Sequence, residues 1–440
     1  MKKKREISGK CKFLNLKVFA FKYSNLLFII FFLPLITISL TGCSSIVKGI
    51  TEAIIEDKEK DKDKRVCRVY SPEIAGLNDS LNDRTKKLKV LKIHGIGYNV
   101  PGYSLEFVEK LADTLALNRR AEPKLIRLKG LKTNQDAGEL MVYKLYDDQN
   151  RVLEFYEYSW SKIVENEIKK LDFDKFDINA SLRSPLNARV KGFINEISPY
   201  ALIYIGNTEH RNRILEGIGQ SLCWMTSRDF NELDKTQQKP CDFKEPDNIK
   251  DARKINYAIF SHSLGSQIAI DGLHSVIPYM EKGRQLYKDD VDVDKYASVK
   301  LYMFSNQIPL IQLGKKYPEN TGKLKDYCSK GGSRYANRAF SRLEIISFSD
   351  PNDLLSYALP DNNTNTNFDS KLCPQSSNVV INVSEVSKIF GVEVANPLVA
   401  HIMYKKDERV LAIIKEGVNN KSENDLKKLN CEWIKTEPSF

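Results

Sequence analysis

A chain of 440 residues with 42% hydrophobic and 28% charged side chains has the composition of a folded protein with a sizeable core, which excludes a fibrous or wholly disordered one. Its formal net charge of +11 suggests a polyanionic partner only until it is divided: residues 1–42 carry eight Lys/Arg and one Glu, leaving 60 basic against 56 acidic side chains in the remainder. Those charges are intermixed and form no basic stripe with interleaved aromatics, which argues against a nucleic-acid partner.

The N-terminus reads as an address rather than as fold. A basic stretch from Lys2 to Lys22 precedes the apolar run Leu26 to Leu40, which is shorter than the roughly 20 residues a spanning helix needs, and Leu40-Thr41-Gly42-Cys43 closes it. These four residues resemble the bacterial lipobox. The resemblance implies a signal peptide over residues 1–42, diacylation of Cys43, and membrane attachment in the cell envelope through that lipid. Ser44 stands where an inner-membrane retention signal carries Asp, so the same resemblance favours the outer membrane. The alternative is an uncleaved signal anchor with Cys43 as an ordinary thiol; in both readings the rest of the chain is exported.

Residues 43–85, with the charged run Glu56 to Arg65, are expected to form a solvated tether ahead of a domain that starts at residue 86. Six cysteines follow Cys43, an even number in an exported chain, so disulfides are the default. The expected pairs are Cys223–Cys241 as a local clip, Cys328–Cys373, and Cys67–Cys431 joining the two ends, with other connectivities open. No CxxC or Cys/His spacing suggests zinc, so no metal is expected.

From Lys87 the pattern changes. Leu88 to Ile93 reads as a strand running into His94-Gly95-Ile96-Gly97, with a helix near Leu105 to Leu117. Two β-rich runs flank Asp147-Asp148-Gln149-Asn150, which predicts a hairpin within residues 141–160. Residues 161–250 are polar and mostly helical in pattern, with the apolar helix candidate Ala201 to Met225, and are expected to be an insertion covering the site as a lid. Strands are then expected at Ile255 to Phe260, Val299 to Phe304, Leu343 to Phe348 and Val379 to Val383, with a helix from Gly265 to Met280. Strands alternating with helices predict an α/β fold: a mostly parallel sheet with helices on both faces.

The strand Ile255 to Phe260 leads into Ser261-His262-Ser263-Leu264-Gly265-Ser266 and an amphipathic helix. A serine at such a strand-to-helix turn presents its hydroxyl at the carboxyl edge of the sheet, where the helix aims its first amides at developing negative charge. Ser-His-Ser-Leu-Gly resembles the Gly-x-Ser-x-Gly motif of the α/β-hydrolase family, with Ser261 in place of the first glycine. The resemblance runs from about Leu88 to about Gly417 and implies an α/β-hydrolase fold with Ser263 as nucleophile. An acid is then expected after a later strand, where Ser349-Asp350-Pro351-Asn352-Asp353 offers Asp353, followed by an apolar pair, or Asp350 in the Asp-Pro turn. Of the five histidines, His401 follows the last candidate strand and completes the order serine, acid, histidine. His262 adjoins the nucleophile and is expected to point away from it. His274 lies too far along the helix, His210 is in the polar insertion, and His94 precedes the glycine turn. The oxyanion donors implied are the amides of Leu264 and Ile96, with Gly97 next.

The function expected from these residues is a serine hydrolase of carboxylic esters that needs no cofactor. Its envelope location and partly apolar insertion suggest a lipid or another hydrophobic ester. The alternative is a non-catalytic envelope binding or assembly lipoprotein on a hydrolase scaffold. The sequence leaves oligomeric state open.

Overall fold

The computed structural model describes residues 66–233, 239–245, 254–287, 298–360, 368–389 and 392–438. Cys43, the signal segment and the charged run 56–65 lie outside them. Residues 172–196 form a compact unit separate from the remaining described chain. Within that unit the Asp174 carboxylate accepts hydrogen bonds from Arg183 at 2.6 Å, Lys191 at 2.6 Å and Asn195 at 3.0 Å.

The larger body is α/β. Eleven strands form one mixed sheet: β1 (Cys67–Ser71), β2 (Lys87–Ile93), β3 (Arg119–Arg120), β4 (Lys124–Lys129), β5 (Asp136–Tyr146), β6 (Val152–Ser159), β7 (Ile255–His262), β8 (Val299–Phe304), β9 (Leu343–Ser349), β10 (Pro374–Ile381) and β11 (Glu432–Lys435). Its order is β11-β1-β10-β9-β8-β7-β2-β6-β5-β3, with β4 also on β5. The run from β6 to β10 is parallel throughout, and the hairpin partner β5 and strand β1, which lies between β10 and β11, are antiparallel to it. Every residue of β8 is buried, as a central strand covered on both faces requires.

Strand alternation explains the two layers. Leu91 and Ile93 of β2 join one apolar cluster while Leu88 and Val90 join the other, because successive side chains leave opposite faces of the sheet. The helices are α1 (Leu105–Thr114), α2 (Ser161–Lys169), α3 (Pro185–Gly206), α4 (Thr208–Ser227), α5 (Leu264–Tyr287), α6 (Pro397–Ile402) and α7 (Glu408–Glu416), with shorter ones between. Phe107 and Leu111 of α1 and Val410 and Ile414 of α7 cover one face; Ile214 and Ile218 of α4 and Ile268 and Leu273 of α5 cover the other. No helix of the described residues is long and apolar enough to cross a membrane.

Two expectations need correction. The tether does not extend to residue 85: Val69, Ile74, Leu77 and Leu81 are buried and β1 pairs with both β10 and β11, so the body begins by residue 66. Short apolar residues spaced through a polar stretch were enough to make a strand and a helix once the sheet edge offered partners. The apolar stretch Ala201 to Met225 is not one helix, because Asn207 separates α3 from α4 and its side chain caps α4 by accepting from the His210 amide. Nor is α4 a lid. Its apolar side chains are core, and Gly217 is tight enough against the sheet that an added Cβ would lie 2.1 Å from both the Ala137 carbonyl and the Tyr158 hydroxyl.

The disulfides are Cys67–Cys431, Cys223–Cys241 and Cys328–Cys373, the three pairs expected. The first closes a separation of 364 residues and joins β1 to the start of β11, which lie side by side in the sheet.

Candidate active site

The carboxyl ends of β2, β7, β8 and β9 are neighbours, and each leads into a turn that carries polar side chains. Ser263 follows β7 and sits at φ 55°, in the left-handed region that ordinary residues avoid. Its amide donates to the Phe304 carbonyl at 2.9 Å, so the turn is pinned to the end of β8. Its hydroxyl is buried and has no hydrogen-bond partner among the described residues. Leu264 is the first residue of α5, which leaves its amide without an intrahelical acceptor.

Close packing explains the small residues. A Cβ on Gly265 would lie 2.6 Å from the His94 carbonyl, and a Cβ on Gly95 would lie 2.8 Å from the Ser263 Cβ and 3.3 Å from its Oγ. The turns after β2 and β7 therefore touch backbone to backbone. Ser261 fits where the motif has glycine because its side chain turns into the core, where Oγ lies 3.1 Å from the Ser266 hydroxyl and donates to the Tyr302 carbonyl at 3.4 Å.

The turn His94 to Gly97 is held from several sides. Gly97 adopts φ 107°, and its carbonyl accepts from Asn99 and from Ser161, each at 3.1 Å. His94 stacks on Trp160 with ring centroids 4.8 Å apart, and its Nε2 accepts the Trp160 amide at 3.2 Å. Burial drives the His94 imidazole down to about 3, so it is neutral and serves as a wedge under the turn. Ile96 and Gly97 are half-buried.

Asp353 and His401 meet. The His401 Nδ1 lies 3.0 Å from both carboxylate oxygens of Asp353. Burial pushes the Asp353 carboxyl up, but the hydrogen bond and charge of His401, the Ser305 hydroxyl and the Leu355 amide outweigh it, and the carboxyl is held below its usual range. Asp350 is elsewhere. Its Oδ2 accepts the Val383 amide at 2.7 Å and the Ser384 amide at 3.1 Å, and its Oδ1 accepts the Asn352 amide at 2.8 Å, so it organises the turn. His401 stands in α6, a short helix that Asn396 caps, rather than in an irregular loop. With Nδ1 engaged, Nε2 is the nitrogen left for proton transfer. No hydrogen bond joins it to Ser263.

Two further residues belong to this constellation. His262 contacts His401: its Nε2 donates to the His401 carbonyl at 2.8 Å, and the two rings lie edge to face at 5.0 Å. Burial lowers the His262 imidazole to about 3, which keeps it neutral. Ser305, directly after β8, reaches both Asp353 and His401. Nothing in the sequence around Ser305 distinguishes it, whereas His262 lies between Ser261 and Ser263 in the strand-to-helix turn. His274 pairs at 3.3 Å with Asp369, and His210 lies in the first turn of α4.

Among the described residues, no group of three or more His, Cys, Asp or Glu is placed to hold a metal ion. Comparison with protein-family models, with curated proteins and with solved structures finds no match.

Proposed function

We propose that this chain is a serine hydrolase of carboxylic esters with an α/β-hydrolase fold, in which Ser263, His401 and Asp353 form the triad. The observation that carries the reading is the Asp353–His401 pair, which Ser305 joins to the end of β8, where Phe304 also holds the amide of a buried serine at positive φ, at the carboxyl edge of one parallel run of strands. Ser263 Oγ attacks the ester carbonyl while His401 Nε2 takes its proton, and Asp353 holds Nδ1 and stabilises the imidazolium. The tetrahedral oxyanion is held by the amides of Leu264 and Ile96, with Gly97 adjacent. Collapse breaks the C–O bond, and the departing alkoxide takes the proton from His401. Water, deprotonated in turn by His401, then hydrolyses the acyl-enzyme.

A hydrophobic ester suits the surroundings. Leu354, Leu355 and Tyr357, just after Asp353, are exposed large apolar residues, as are Leu310 and Leu313 beyond β8. The two segments are bound together: the Tyr357 amide donates to the Asn306 carbonyl at 2.9 Å and the Asn306 side chain donates to the Tyr357 carbonyl at 3.1 Å. A lipid anchor on Cys43, in the outer membrane, places such a surface beside lipid substrates.

A panel of p-nitrophenyl esters of increasing chain length tests the reading. Turnover by wild type, rising with chain length and lost in Ser263→Ala, is the expected result. The missing hydrogen bond from the Ser263 hydroxyl favours a second reading, a non-catalytic envelope binding or assembly protein on the same scaffold; absence of turnover at every chain length would favour it.

A further inference from the structure

The end of β8 touches every member of the proposed triad. The Phe304 carbonyl accepts the Ser263 amide at 2.9 Å, and the next residue, Ser305, places its hydroxyl 2.5 Å from Asp353 Oδ2 and 2.6 Å from His401 Nδ1. Ser305 is fully buried and its own amide is held by the Phe348 carbonyl at 3.1 Å, so the hydroxyl has little freedom to leave. One hydroxyl proton can serve one acceptor. A carboxylate accepts only, so the Ser305 O–H donates to Asp353 and its lone pair faces the His401 Nδ1–H.

We propose that Ser305 is a positioning residue of this site, a hydroxyl bridge that fixes both the Asp353 carboxylate and the His401 ring; this rests on the serine-hydrolase reading. The backbone supplies an independent reason. Ser305 adopts φ 52°, where glycine is the default residue and any side chain is strained. A residue needed only for the turn would be better as glycine, so the hydroxyl is what the strain retains.

The test follows from the same backbone. Ser305→Gly removes the hydroxyl and relieves the left-handed strain, so it separates positioning from folding; Ser305→Ala removes the hydroxyl and keeps the strain. Both are expected to slow labelling of Ser263 by a fluorophosphonate about tenfold, with Ser305→Gly at least as heat-stable as wild type. In parallel, proton NMR reads the His401 Nδ1–H resonance, assigned through His401→Gln, and it is expected to shift in both variants because the ring loses its Ser305 contact. A wild-type resonance or a wild-type labelling rate in Ser305→Gly would overturn the bridge. If wild type takes no label while the resonance still shifts, the bridge stands and the hydrolase reading fails.

Discussion

Gly95→Ala should damage the site through one methyl group. Gly95 is not in the left-handed region, so alanine is conformationally acceptable and only space opposes it. That space is filled. The new Cβ would lie 2.7 Å from the His262 carbonyl and 2.8 Å from the Ser263 Cβ, and the first of these is backbone that cannot rotate away. Overpacking of this kind costs about 1–3 kcal/mol of stability, and it is relieved by moving the turn that carries Ile96 and Gly97 away from Ser263. A displacement approaching 1 Å between reacting groups costs about 10²-fold in rate. The assay is the rate of fluorophosphonate labelling beside a thermal melt. Gly219→Ala is the control, because its Cβ would meet only Val276 at 3.6 Å and helix interiors favour alanine. The expected outcome for Gly95→Ala is labelling slowed about 10²-fold with a modest fall in Tm, and for Gly219→Ala no loss of either. A folded Gly95→Ala protein that labels at the wild-type rate would refute the contact on which the oxyanion assignment depends.

Asp353→Asn should slow labelling about 10⁴-fold with little change in stability, because the amide mis-sets the His401 tautomer. Asp350→Asn should do the reverse, costing about 1–3 kcal/mol in a denaturant melt while leaving the labelling rate of folded protein intact; a swap of these phenotypes would reassign the acid. Lys92 lies between the Phe107 and Phe304 rings, 5.1 and 4.9 Å from their centroids, and burial lowers its ammonium to about 7. The unfolded chain keeps that proton up to about pH 10.4, so stability should rise with pH from about 7 to 10, and Lys92→Met should stabilise the protein below pH 7 and flatten the slope. An unchanged slope in the variant would sink that assignment. Replacing Cys67 and Cys431 together by alanine should cost about 2–5 kcal/mol in urea, since their bridge closes most of the chain.

Much of the fold was legible because its signals are local. The strand Val299 to Phe304 is apolar except for Lys300, and the hairpin turn at Asp147 to Asn150 is polar between β-rich flanks, with Asn150 at φ 60°. The Asp353–His401 pair was reachable from chain order, since one motif fixes where the next must fall. Three features were hidden by the same physics. Strand β1 within residues 66–85 pairs with β10 and with β11 from the other end of the chain, which no local pattern reveals. Apolar residues on α4 read alike whether they face lipid or a sheet. Ser305 and His262 matter through contacts with His401, which lies 96 and 139 residues away in sequence.

The most direct measurement is mass-spectrometric mapping of a fluorophosphonate adduct on the purified, disulfide-intact protein spanning residues 44–440. A single adduct on Ser263, absent in Ser263→Ala and strongly slowed in His401→Ala, is the expected result. A folded protein that takes no adduct, or takes it on another residue, would contradict the assignment of Ser263 as an activated nucleophile.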